Sequence, residues 1–233
     1  MENWEIVVLI LAPLIGGGVA LYMRPKNDSF FKFALSFSGA FLFGVSILHF
    51  FPIIFSSGIG AGKYVLLGFF LQLVLEQLTK GVEHGHFHVH GHSRSFVFPV
   101  MIGICIHAFF DGVPVFSDEH IHHQHAMLWA ISAHKIPEGF ALATLLLMIN
   151  IKRTIAIILL VLFSLTAPAG TFFADYLSGV NPDYIQILFA IVGGLILHVS
   201  TTILFESETG AHHFPVRKIA AVVAGALLAL FAA

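Results

Sequence analysis

The chain has 233 residues, of which 58% are hydrophobic and 10% charged, with a mean hydropathy of +0.92. Soluble domains carry about 25% charged residues, so this composition excludes a water-soluble globule and puts the chain in lipid. A formal net charge of −2 without a basic patch excludes a nucleic-acid partner, and the single cysteine, Cys105, excludes an internal disulfide and a cysteine-built metal site.

A membrane-crossing helix needs roughly 20 mostly apolar residues. Segments of this kind lie at 4–22, 33–55, 64–79, 96–116, 126–149, 154–174, 184–205 and 216–231. Breaks between them are marked by Arg24-Pro25, Ser56-Ser57-Gly58, Ser178-Gly179 and Asn181-Pro182. The first segment has no basic stretch before it and no small-residue cleavage pattern before Arg24, so it reads as a span and not as a signal peptide. The expected fold is an all-α integral membrane protein of eight transmembrane helices. One domain is expected over residues 1–233, with a His-rich loop at about 81–95.

Lysine and arginine set the expected orientation. Arg24, Lys26, Lys32, Lys80, Arg94, Lys152, Arg153, Arg217 and Lys218 fall on one side of an eight-span chain, and only Lys63 on the other. The loops after spans 1, 3, 5 and 7 are therefore expected in the cytoplasm, and both termini outside.

Ionisable groups within spans are costly and mark function by default. Here they are His49, Glu76, His107, Asp111, His134, Lys135, Glu138 and His198. His49 and His198 read individually as cross-helix hydrogen-bonding groups, and Glu76 as a group near enough to the span's end to reach water. Spans 4 and 5 differ. His107-Ala108-Phe109-Phe110-Asp111-Gly112 and His134-Lys135-Ile136-Pro137-Glu138-Gly139 each put a carboxylate four residues after a histidine, and a glycine next. Such a pair shares one helix face. Two opposed faces supply two nitrogens and two carboxylates, a donor set suited to zinc or another first-row divalent ion. The glycines are expected to let these two helices approach closely. A pair of internal His–acid ladders is the structural alternative, but two carboxylates in lipid beside one lysine call for a further cation.

Histidine is abundant, 15 residues against 11 Lys and Arg. His84, His86, His88, His90 and His92 alternate with other residues, glycine among them, in the expected cytoplasmic loop, as in a flexible metal-binding tract. Asp118, Glu119, His120, His122, His123 and His125 form a second group on the expected outer side, placed to collect metal at the entrance. Both are expected to contact metal and to modulate the protein's function without being required for it. His212-His213 reads as a solvated loop pair.

The paired motifs on the fourth and fifth spans, with the His-rich loop before them, resemble the ZIP family of divalent metal transporters. That family carries His-Asn-x-x-[Asp/Glu]-Gly on span 4, matched here by His107, Asp111 and Gly112. On span 5 its prokaryotic branches carry [Gln/His]-[Asn/Asp]-x-Pro-Glu-Gly, matched by His134, Pro137, Glu138 and Gly139. His49 to Pro52, Glu76 and Pro168-Ala169-Gly170 resemble weaker family features on spans 2, 3 and 6. The resemblance implies a 3+2+3 helix arrangement with an inverted repeat, and a homodimer. It also implies metal ligation by His107, Asp111, His134 and Glu138. Family members with two metals use three further ligands, and those positions here are Ala108, Lys135 and Ala167. A one-metal site is expected, with the Lys135 ammonium standing where a second ion would bind.

The expected function is transport of a divalent transition metal, zinc first, into the cytoplasm, with the ion as substrate and no organic cofactor. A compact chain of 25.4 kDa fits a bacterial inner membrane. The alternative from another class is an intramembrane zinc-dependent hydrolase. That reading lacks a His-Glu-x-x-His signature, since Lys135 stands where its glutamate would.

Overall fold

The computed structural model describes residues 3–23, 29–82, 96–116, 124–205 and 215–232, the side chains of residues 29, 30 and 124 excepted. Among these residues the structure is helical, with no strand. The helices are α1 (Asn3–Met23), α2 (Ser29–Val45), α3 (Phe51–Ser56), α4 (Gly62–Thr79), α5 (Val97–Gly112), α6 (Gln124–Met148), α7 (Arg153–Ser164), α8 (Thr166–Val180), α9 (Pro182–Phe205) and α10 (Val216–Phe231). Five stretches are long and apolar enough to cross a membrane: Asn3–Met23, Phe31–Ser56, Val97–Val115, Arg153–Val180 and Pro182–Phe205. The expected segments at 64–79, 126–149 and 216–231 are also helical, as α4, α6 and α10.

Prolines set the irregularities. Pro52 has no N–H to give the carbonyl four residues back. Just before it, Ser46–Phe50 widens into a π turn in which the Phe51 N–H reaches Ser46. Pro168 likewise leaves the carbonyl of Ser164 without a helical donor, and α7 gives way to α8 at Leu165. The break expected at Ser178-Gly179 does not occur, because α8 runs on to Val180. The one at Asn181-Pro182 does: Asn181 is extended, its side-chain oxygen accepts the Asp183 N–H at 2.9 Å, and Pro182 opens α9.

Close helix pairs are made by glycines that face a neighbour's backbone. A Cβ at Gly16 would strike the carbonyl of Ile136, and one at Gly139 that of Pro13, which locks α1 to α6. Gly112 faces Ala167 and Gly170 faces Phe109, locking α5 to α8. Gly68 against Ile191 and Gly194 against Val65 lock α4 to α9, and Gly225 against Phe37 locks α10 to α2. In lipid, where burying apolar surface drives little association, such backbone approach is a principal source of packing energy. The close approach expected between α5 and α6 through Gly112 and Gly139 is therefore corrected. Each glycine serves an outer helix instead, and the space kept between α5 and α6 holds polar side chains.

Candidate metal centre

α5 and α6 turn their paired motifs toward each other. His107, Asp111, His134 and Glu138 are all buried, and one potential ligand atom from each lies within 4.8 Å of the others. The i,i+4 geometry operates within α5, where His107 Nε2 is 3.2 Å from Asp111 Oδ2. Across the helix pair the same Nε2 is 3.7 Å from Glu138 Oε1. The rings of His107 and His134 meet edge-on at 90°, with centroids 6.4 Å apart. Two imidazoles and two carboxylates at this spacing can take a divalent ion in a four-coordinate shell.

Lys135 joins the cluster through both carboxylates. It is 1% exposed, and its Nζ lies 2.6 Å from Asp111 Oδ2 and 2.5 Å from Glu138 Oε2. Glu138 thus turns Oε1 toward His107 and Oε2 toward the ammonium. Such a carboxylate can bridge a metal and a lysine as it would bridge two metals. Nζ also sits 5.5 Å from the centroid of the Phe163 ring on α7, within cation–π range. Ala108 and Ala167 are buried and supply no side-chain donor.

Two contributors escape a reading of ionisable residues. Gln72, wholly buried on α4, has its Oε1 3.3 Å from His107 Nδ1. Phe163 forms the aromatic wall beneath Lys135. Gln72 had a legible signal: it precedes Glu76 by four residues, so two polar groups share one face of an otherwise apolar helix. Phe163 had none, being one of 25 phenylalanines.

The other sequence candidates lie apart from this cluster. Glu76 does not simply reach water; its Oε2 meets His198 Nε2 at 2.9 Å, and the His198 ring packs edge-on against Phe69 at 4.7 Å. His49 is buried in the π turn. His125 lies in the first turn of α6, its side chain 65% exposed, stacked on Trp4 and 3.7 Å from Glu5. It lies nine positions before His134, about 13.5 Å along the helix. His84, His86, His88, His90, His92, Asp118, Glu119, His120, His122, His123, His212 and His213 lie outside the described residues.

The family model described as ZIP zinc transporter matches residues 90–233, more than half of the chain, and the chain belongs to that family. No curated protein matches it. ZIP members are membrane metal transporters and not enzymes, which removes the hydrolase alternative. The chain is an integral membrane protein of divalent metal transport, with a buried His, Asp and Glu group able to bind the ion.

Proposed function

We propose that this protein carries zinc into the cytoplasm one ion at a time, with His107, Asp111, His134 and Glu138 as the transport site. The observation that carries the reading is the convergence of four buried donors within 4.8 Å, with the Lys135 ammonium in contact with both carboxylates. With both acids ionised and both histidines neutral, the empty site holds −1 and the loaded site +1. Lys135 fills the position of a second ion, and Ala108 and Ala167 withhold the donors such an ion would need. A negative-inside potential drives entry, by about 4.6 kcal/mol per 100 mV for a charge of two.

The architecture that goes with this function is one domain of eight spans over 1–233, arranged 3+2+3. The glycine-locked pairs support an inverted repeat that exchanges α1 with α7–α8, α2 with α9, α4 with α10, and α5 with α6. Under that exchange the α1·α6 pair becomes α8·α5, and α2·α10 becomes α9·α4, and both pairs occur. Both termini lie outside, the loop at about 81–95 faces the cytoplasm, and the membrane is a bacterial inner membrane. The loop histidines and His125 gather metal at the two mouths. The chain works as a homodimer.

The test is zinc uptake into proteoliposomes containing the purified chain. Alanine at His107, Asp111, His134 or Glu138 should abolish uptake while the protein still inserts in the membrane. Normal uptake by Asp111→Ala or Glu138→Ala would sink the assignment.

A further inference from the structure

An amide buried in the middle of a lipid-embedded helix is costly unless hydrogen-bonded. Gln72 spends that cost on one imidazole: its Oε1 is 3.3 Å from His107 Nδ1, across from α4 to α5. We propose that Gln72 is the positioning residue of the metal site, accepting the Nδ1–H of His107 and so presenting its bare Nε2 to the ion. This rests on His107 being a metal ligand.

A neutral imidazole has one N–H and one lone pair, so fixing the proton on Nδ1 frees Nε2 for a metal. With an ion between Nε2 and the carboxylates, the geometry fits these roles. Nε2 points into the cluster, at 3.2 Å from Asp111 and 3.7 Å from Glu138, and Nδ1 points out of it toward α4. Partners of this kind orient a ligand histidine, and losing them typically lowers metal affinity or activity about 10- to 100-fold.

Gln72 is itself held rigidly. One turn before it, Gly68 lies against the Ile191 backbone; one turn after it, Glu76 is joined to His198. Both contacts are to α9, so α4 cannot rotate without parting from α9. The amide is also the right charge type for a carrier. A carboxylate at position 72 would make the imidazole a stronger donor and add a third acid near the ion, and both changes hinder release. A neutral acceptor orients the ring while keeping the empty site at −1.

The bland alternative is that Gln72 merely glues α4 to α5. Equilibrium Co2+ binding, read by visible absorption, separates the two in the full-length chain in nanodiscs, with His84, His86, His88, His90 and His92 replaced by serine. Gln72→Leu keeps the volume and removes the acceptor, and should weaken Co2+ about 10- to 100-fold and alter its absorption bands. Gln72→Glu keeps the acceptor and should bind Co2+ several-fold more tightly than the native residue, with slower zinc turnover in proteoliposomes. Native affinity and bands in Gln72→Leu would overturn the proposal, as would Gln72→Glu binding no more tightly than the native chain. If Gln72→Leu does not fold, the Gln72→Glu comparison decides alone. His107→Ala distinguishes the two levels: unchanged Co2+ affinity and bands there would refute the ligand assignment itself.

Discussion

Replacing Lys135 with methionine should tighten metal binding and slow transport. The effect has two sources of the same sign. In the empty carrier, Nζ makes ion pairs of 2.6 and 2.5 Å with Asp111 and Glu138. Removing one partner of a buried pair typically costs about 3–5 kcal/mol, because the remaining charges stand uncompensated. In the loaded carrier, an ion bound to Asp111 Oδ2, which also meets the ammonium at 2.6 Å, would lie roughly 4–5 Å from Nζ given metal–oxygen bonds of about 2.1 Å. At an effective dielectric of about 20, a single and a double positive charge at that distance repel by about 7 kcal/mol. Water entering the vacated space reduces both figures. A surviving change of about 2.7 kcal/mol would still raise affinity about a hundredfold, and at least tenfold is expected. Zinc titration calorimetry on the purified chain, with the loop histidines replaced, reads the affinity and stoichiometry. Thermal unfolding with and without zinc reads the other half: the metal-free protein should lose stability, and zinc should restore it. Unchanged or weaker zinc affinity in a folded Lys135→Met protein would refute the reasoning, and Lys135 would then be a packing residue.

The same electrostatic logic makes Lys135→Asp begin to recruit a second ion, seen as a zinc stoichiometry rising above one at the central site. Replacing His84, His86, His88, His90 and His92 with serine should shift the apparent transport affinity and leave uptake measurable; complete loss in a well-expressed variant would show that the tract is required. Gly112→Ala should destabilise the α5–α8 pair, since a Cβ there meets the Ala167 carbonyl and not a flexible side chain. Overpacking of this kind costs about 1–3 kcal/mol, and a thermal unfolding shift toward lower temperature checks it, with Gly18→Ala as the control because a Cβ there meets nothing within 4 Å among the described residues.

Helicity and the core of the site were legible in the sequence because both depend on local regularity. An apolar run long enough for lipid must be helical to satisfy its own backbone. A histidine and an acid four residues apart must share a face whatever the rest of the chain does. His107 with Asp111, and His134 with Glu138, therefore announced themselves, and Lys135 stood out as a cation where none belongs. What remained depended on which helices meet. Glu76 finds His198 122 residues away along the chain, and Gln72 finds His107 35 residues away. No periodicity within either helix encodes such a partner. The glycines marked close approaches without saying to what: Gly112 and Gly139 pack on α8 and α1, leaving room between α5 and α6 for two imidazoles, two carboxylates and an ammonium. Only the tertiary structure could decide this, since the direction of a helix face is local but its neighbour is set by the packing of the whole bundle.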